Sequence, residues 1–206
     1  MLFRSRPQIR KLHAQGITTL AQLAELPEDV AIPDMTAATR RKLTRQARLQ
    51  QAKRDTGRDR YELLPQEAGQ GRGLARLPQL DPADLFFDME GDPFEPEGLE
   101  YLFGVWFIEN GEPQFKAFWA HNRVEERRAF EEFMDFVTAR RAAHPNLHVY
   151  HYAHYEETAL KRLMCRYGTR ENAVDDLLRS GVLVDLYQVV REALQVSEPQ
   201  IAREHV

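Results

Sequence analysis

The chain has 206 residues, of which 43% are hydrophobic and 29% are charged, as is typical of a protein that buries a core. No run approaches the roughly 18 apolar residues of a membrane span, and the N-terminus lacks a signal-peptide pattern. Cys165 is the single cysteine, which excludes an internal disulfide framework and a thiolate metal cluster. The sequence therefore predicts a cytoplasmic protein with no membrane association.

The net charge of −4 is unevenly distributed along the chain. Residues 1–60 hold 13 basic and 6 acidic side chains, whereas the remaining residues hold 15 basic and 26 acidic ones. A basic arm joined to an acidic body suits a protein that binds a polyanion and processes it at a metal site. The alternative is that the basic residues form an ordinary solvated helix face.

Residues 1–55 are predicted to form a small helical segment. Apolar residues recur at helical spacing and are interrupted at Gly16, and Thr18 or Thr19 then caps the next helix. The pattern resembles a helix-hairpin-helix element, which can direct backbone amides at a phosphate, although any helical pair could look similar. A later helix has a basic face, and its candidate nucleic-acid contacts are Arg40, Arg41, Arg45 and Arg48.

The rest of the chain is predicted to be a linker followed by an α/β domain. Residues 56–83 are rich in Gly, Pro and polar residues and predict little regular structure. From residue 84 the pattern indicates a strand, a hairpin turning at Asn110-Gly111, and then helix, strand, helix, helix and strand. An antiparallel meander followed by β/α units is the order of the ribonuclease H-like fold, which we predict for residues 84–206.

The first candidate site is "LFFDMEGD", residues 85–92. Asp88 and Glu90 share one face of this strand, because side chains alternate along a strand. If the strand is buried, the two carboxylates repel each other and need a cation, and their oxygen atoms suit Mg²⁺ or Mn²⁺. Gly91 would let a substrate backbone approach. The alternative is an edge strand whose acids face water.

A second set of acids lies further along the chain. Glu156 falls on the apolar stripe of its helix and is predicted to face inward, while Glu157 pairs with Lys161. Glu156 could instead simply favour the helix dipole in the first turn. Asp185 interrupts the apolar run "VLVDLYQVV", and we expect it to cap the following helix; supporting the site or ligating a metal are the alternatives.

The histidines and tryptophans of this domain have simpler predicted roles. His148, His151 and His154 are spaced by three residues, but no fourth ligand for zinc is nearby. His151 or His154 is better placed as a polar lining near a phosphate. Trp106 and Trp119, on the hairpin, are predicted to lie in the core.

Residues 84–194 resemble the DEDD-type 3′–5′ exonucleases of the ribonuclease H-like superfamily. Asp88-Met89-Glu90 looks like their first motif, and "YHYAHYEETAL" looks like a variant of their second, with Tyr155-Glu156 in place of Phe-Asp. The segments "FFDMEGDP", "FWAHNRVEE" and "VDLYQVV" resemble a RecB-like putative nuclease family whose C-terminal half is such a domain.

The resemblance implies two-metal phosphodiester hydrolysis with Mg²⁺ or Mn²⁺. Asp88 would bridge the ions, Glu90 would hold the ion that binds the attacking water, and Glu156 would serve the second ion. The expected substrate is DNA, single-stranded first, or RNA. The family also has an upstream RecB-like nuclease domain, and the resemblance implies that domain or a helicase as a partner in the full-length parent.

The sequence departs from the family in the third motif, because "QVSEPQIAREHV" offers no Tyr- or His-led Asp. We therefore expect a fragment of a longer nuclease that is inactive if that motif is essential. Two rival readings are a non-catalytic nucleic-acid-binding or interaction module and a fragment without a function of its own.

Overall fold

The structure is a computed structural model that describes residues 6–27, 29–65 and 71–198. Its helices are α1 (Arg6–His13), α2 (Leu20–Ala24), α3 (Ala37–Thr56), α4 (Arg123–Ala143), α5 (Tyr155–Tyr167), α6 (Glu171–Arg179) and α7 (Leu186–Ala193). Its strands are β1 (Tyr61–Leu63), β2 (Leu85–Asp92), β3 (Leu99–Glu109), β4 (Glu112–Trp119), β5 (Val149–His151), β6 (Leu183–Asp185) and β7 (Leu194–Val196).

The chain forms two compact units. The first comprises Met1–Gly73 with Val190–Val206, and the second comprises Leu74–Val189. Strand β7 belongs to the first unit because it pairs antiparallel with β1. The predicted boundaries, 1–55, 56–83 and 84–206, stay a prediction. None of the helices in the described ranges is long and apolar enough to cross a bilayer.

The first unit is built on α1, α2 and α3. The Thr19 hydroxyl accepts a hydrogen bond from the Gln22 amide, and the Gln22 side chain reaches back to the Thr19 amide, so the predicted threonine cap is confirmed. Leu12 from α1, Leu23 from α2 and Ala47 from α3 meet in a small apolar core. The apolar residues at helical spacing in the sequence therefore form the contact between the helices.

The prediction of an irregular linker is only partly correct. Within residues 56–65 and 71–83 the structure contains β1 and a 3₁₀ turn at Gly73–Arg76. Tyr61 of β1 pairs with Val196 of β7. A three-residue strand whose partner is so distant in sequence has no local periodicity from which it could be predicted.

The second unit contains a five-stranded mixed sheet in the order β4-β3-β2-β5-β6. Strands β2, β3 and β4 are antiparallel neighbours, whereas β5 and β6 run parallel to β2. Asn110 and Gly111 both have positive φ, as the predicted tight turn between β3 and β4 requires. The predicted ribonuclease H-like α/β fold is confirmed.

The core of the second unit lies between one face of the sheet and helices α4, α5 and α6. Alternate residues of β2 point into it, and Phe87 stacks on Phe133 of α4 with ring centroids 4.2 Å apart. The buried residues contributed by the helices include Ala129, Phe130, Phe133, Met134, Val137, Leu160, Leu163, Val174 and Leu177. This packing fixes which side chains of β2 face away from the helices.

The opposite face of the sheet carries exposed aromatic residues on β2, β3 and β4. Phe86 and Trp106 are in contact, and they are 42% and 41% exposed; Phe115 and Trp119 are also exposed. The prediction that Trp106 and Trp119 lie in the core is therefore wrong. Both tryptophan side chains point to the face of the sheet that the helices do not cover. The sequence of a strand alone does not identify which of its two faces will be covered.

Candidate active site

Asp88 and Glu90 lie on β2, the central strand of the sheet. Asp88 is paired with Gly104 of β3 and Glu90 with Leu102, and a register shift follows directly after Glu90. Both acids are exposed, and the intervening Met89 is buried. They therefore share one face of the strand, as the alternation predicts.

The expectation that these two acids are buried is wrong. The strand is central rather than an edge strand, but its two faces differ, because helices cover only the face that carries Phe87 and Met89. Neither carboxylate makes an ion pair within the described residues; Asp88 Oδ1 accepts only the neighbouring Met89 amide, at 3.1 Å. Two solvated carboxylates two residues apart remain available to a cation.

An aromatic ring lies beside these acids. Gly104, opposite Asp88, has no side chain, and a Cβ at that position would lie 3.2 Å from the ring of Phe115. The glycine therefore lets the Phe115 ring cross the sheet face next to Asp88. Together with Phe86 and Trp106, this ring gives the acids an exposed aromatic surround.

Glu156 lies in the first turn of α5 and faces inward, which confirms the predicted orientation. It is 2% exposed, and its neighbour Glu157 pairs with Lys161 at 3.6 Å. Inside the fold Glu156 meets His151, with Oε2 3.5 Å from the ring Nδ1. The ring Nε2 lies 3.7 Å from Glu157 Oε1. These separations are too long for well-formed hydrogen bonds, so Glu156 Oε2 and both ring nitrogens are buried without a hydrogen-bond partner.

The protonation of His151 is biased by this environment. Burial of the ring opposes its charge, but Glu156, Asp185 and Glu157 outweigh that effect and raise the pKa of His151. His154, by contrast, is 81% exposed at its side chain and lies 4.0 Å from Asp185 Oδ2.

A shared metal centre requires Asp88, Glu90 and Glu156 to lie together. Within residues 6–27, 29–65 and 71–198, no group of three or more His, Cys, Asp or Glu side chains is arranged to hold a metal ion. Glu156 is buried with His151, whereas Asp88 and Glu90 are exposed. Asp88 and Glu90 are suitable oxygen donors, but the structure does not group Glu156 with them among the described residues, so the assignment of Glu156 as a metal ligand stays a prediction.

The two predicted motifs nevertheless approach each other at Gly91. A Cβ on Gly91 would lie 2.3 Å from the Tyr155 hydroxyl and 2.8 Å from Glu100 Oε2. The space beside this glycine is thus occupied by protein atoms. The predicted role of Gly91, admitting a substrate backbone, stays a prediction, because close packing of Tyr155 at the start of α5 already explains the glycine.

A buried carboxylate network, which the sequence reasoning missed, surrounds this contact. Glu100 is 1% exposed; it accepts the Tyr155 hydroxyl at 2.9 and 3.0 Å and pairs with Arg162. Burial raises the pKa of Glu100 despite these partners. It also raises the pKa of Tyr155 to about 12, so the hydroxyl stays a donor. The network connects β3 with α5.

A second buried acid, Glu126 on α4, joins the same region. It accepts the Glu100 amide at 2.6 Å, pairs with Arg123 at 3.0 Å and Arg166 at 3.3 Å, and accepts the Tyr167 hydroxyl. One signal in the sequence points here: Arg162 and Arg166 are four residues apart and so lie on the same side of α5. Their acidic partners could not be identified without the tertiary structure.

Asp185 acts as a cap, as first expected. Its Oδ1 accepts the amides of Tyr187 and Gln188 at the start of α7, at 2.9 and 3.3 Å, and the Ala153 amide at 2.9 Å. Ala153 has a positive φ of 69°, so this third bond also holds a strained turn before α5. A ligand role for Asp185 stays a prediction.

The four predicted nucleic-acid-binding arginines have different environments. Arg40 is 7% exposed and donates to the Pro27 carbonyl, and Arg48 donates to the carbonyls of Ala24 and Leu26. Those two side chains hold the chain segment that follows α2. Arg45 pairs with Glu62 at 3.0 Å, and Arg41 is exposed.

Comparison with known proteins gives one finding. No curated protein and no solved structure shows significant similarity to the chain. The RNase_H_2 family model, which describes part of the RNase_H superfamily, matches residues 85–203, more than half of the chain. This range contains Asp88, Glu90 and Glu156 and the five-stranded sheet. The chain therefore belongs to the RNase H superfamily.

Proposed function

We propose that the protein is a divalent-metal-dependent nuclease that hydrolyses nucleic-acid phosphodiester bonds at Asp88 and Glu90. Membership of the RNase H superfamily supports a nucleic-acid hydrolase. The single observation that carries the site is the pair of exposed, unpaired carboxylates on one face of the central strand. Mg²⁺ or Mn²⁺ prefers such oxygen ligands and would offset the charge of an approaching phosphate.

The substrate proposed first is single-stranded DNA. Phe86, Trp106 and Phe115 expose aromatic surface beside the acids, and bases stack on such rings regardless of their identity. Stacking needs unpaired bases, which a duplex does not offer. Single-stranded RNA also has unpaired bases, so the preference for DNA is tested by comparing single-stranded DNA with single-stranded RNA.

The 3′–5′ polarity and a RecB-like parent protein are further proposals, supported only by the sequence motifs. Assignment of Glu156 to a second ion belongs here as well. The position of Glu156 beside His151, without a third ligand shared with Asp88 and Glu90, supports at most one ion at the exposed pair.

Cleavage of labelled oligonucleotides tests the proposal. Single-stranded DNA and RNA, labelled at either end, are incubated with the protein in Mg²⁺, Mn²⁺ or chelator. We expect metal-dependent cleavage that Asp88→Asn lowers at least about 100-fold, because one of the two charged donors is lost. Glu112→Gln removes an exposed acid from β4, which β3 separates from β2, and should leave cleavage unchanged.

A second candidate function is a non-catalytic nucleic-acid-binding module. It is favoured by the separation of Glu156 from the exposed acids, since the described residues form no three-ligand group. Binding of oligonucleotides without cleavage under every metal condition would select this function. If Asp88→Asn still cleaved the oligonucleotides, the proposed site would be wrong, but the superfamily assignment would still hold.

A further inference from the structure

We infer that a basic cavity within the first unit binds phosphate groups of a nucleic-acid strand. The cavity has a volume of about 610 Å³ and is lined by residues of α3, of the chain around β1, and of α7 and β7. All of these residues belong to the same compact unit. The inference deepens the proposed function, because it takes the ligand to be a nucleic acid, but the cavity shares no residue with the acidic site on β2.

The charge of the lining favours an anion. Among the lining residues that the structure describes, the basic ones are Arg41, Lys42, Arg45, Arg72 and Arg191, and the acidic one is Glu192. Glu192 Oε2 accepts the Gly73 amide at 2.9 Å and lies 4.0 Å from Arg72. Arg45 pairs with Glu62, and Arg72 lies near Glu192, whereas the positive charges of Arg41 and Lys42 are not matched by an ion pair with any of the described residues. A phosphodiester backbone supplies the missing negative charge.

Two of these cations are available for a ligand. Arg41 and Lys42 are adjacent on α3 and exposed, and neither side chain makes a hydrogen bond or ion pair with the rest of the described chain. Arg40 and Arg48 differ, since they donate to carbonyl groups within the unit. Of these basic residues of α3, Arg40 and Arg48 therefore stabilise the unit, whereas Arg41 and Lys42 are available in the cavity.

A buried amide gives a second, independent indication of a ligand. Gln195 lines the cavity and is 7% exposed. Its Nε2 donates to the Lys42 carbonyl at 2.8 Å and to Gln46 Oε1 at 3.1 Å, which fixes the orientation of the amide. Its Oε1 is buried without a hydrogen-bond partner. An unpaired buried acceptor is unfavourable, and a nucleotide offers both phosphate oxygens for the cations and a hydroxyl or amine donor for this oxygen.

The test measures binding without catalysis. A fluorescein-labelled single-stranded DNA 20-mer is titrated with the full chain in EDTA at several salt concentrations, and binding is followed by anisotropy. The double variant Arg41→Gln/Lys42→Gln is compared with Arg54→Gln/Arg58→Gln. The control removes the same charge from exposed positions of the same unit that do not line the cavity. Thermal unfolding of each variant reports whether the fold is retained.

We expect the cavity variant to bind at least about fivefold more weakly at 0.1 M salt, with the slope of log K against log salt reduced by about 1.4, on the basis of about 0.7 per phosphate contact on a single strand. The control should change affinity less than twofold.

Equal weakening in both variants, or no binding by the unaltered chain, would overturn the inference. If millimolar inorganic phosphate displaces the oligonucleotide only from the unaltered chain and the control, the phosphate is the recognised group. Phosphate binding without oligonucleotide binding would make the site one for small anions and refute the strand. Because EDTA is present throughout, loss of cleavage in the earlier assay leaves this result unaffected, and the two proposals fail separately.

Discussion

Replacing Gly91 with alanine tests whether this glycine serves packing or substrate. Its φ is not positive, so a side chain is compatible with the backbone. In open space, Gly→Ala would stabilise the protein by about 0.4–1 kcal/mol, because the unfolded chain loses freedom. The structure predicts the opposite sign, since the new Cβ would lie 2.3 Å from the Tyr155 hydroxyl and 2.8 Å from Glu100 Oε2.

The expected loss follows from what must move. If the surroundings absorb the methyl group, overpacking costs about 1–3 kcal/mol. If Tyr155 moves away instead, it loses its hydrogen bonds to the Glu100 carboxylate, a loss of about 1.5–3 kcal/mol for a charged acceptor. Either route outweighs the entropic gain. We therefore expect the free energy of unfolding to fall by about 2 kcal/mol.

Urea unfolding of four proteins measures this directly: the unaltered chain, Gly91→Ala, Tyr155→Phe and the double variant. In the Tyr155→Phe background the hydroxyl is absent, so the penalty of the alanine should shrink by about 1–2 kcal/mol, a coupling typical of residues in contact. Some penalty should remain, because Glu100 Oε2 is still close. Additive effects would refute the packing argument. Unchanged or increased stability together with weaker cleavage would assign Gly91 to the substrate instead.

Two further predictions concern the neighbouring residues. Because the raised pKa of His151 favours its charged form in the folded state, the stability from its pair with Glu156 should be complete below about pH 6.5 and fade as the pH rises through the folded pKa. Urea unfolding midpoints, measured in EDTA from pH 5.5 to 8.5, should show this decline in the unaltered chain. The control variant His144→Gln, which removes an exposed histidine, should show the same decline. If His151→Gln declined equally, the pH dependence would belong to other groups. Asp185→Ala should lower the free energy of unfolding by about 1–2 kcal/mol through loss of the cap, measured by urea unfolding. Asp185→Asn keeps an acceptor oxygen and should stay near the unaltered value; an asparagine variant as unstable as the alanine one would show that the charge itself is needed.

The sequence determined the local elements and the faces of the long helices. Helix α4 follows the hairpin as predicted, and the Asn110-Gly111 turn occurs where expected, because caps, turn residues and helical periodicity act within a few residues of the chain. The inward orientation of Glu156 followed from its position four residues before Leu160. The ribonuclease H-like fold class was likewise predictable from the order of the elements along the chain.

Only the tertiary structure decided which face of each strand the helices cover and which acids meet which bases. Alternation places Asp88 and Glu90 together, but it does not say whether their side is buried. Because α4, α5 and α6 pack on the opposite face of the sheet, Asp88, Glu90 and Trp106 stay exposed. Arg162 and Arg166, which pair with Glu100 and Glu126, come from α5, a helix distant in sequence from both acids, and the strand that pairs with β1 is likewise distant. The physical reason is that burial and charge pairing depend on groups brought together by chain folding, whereas helix, turn and strand signals depend on neighbours along the chain.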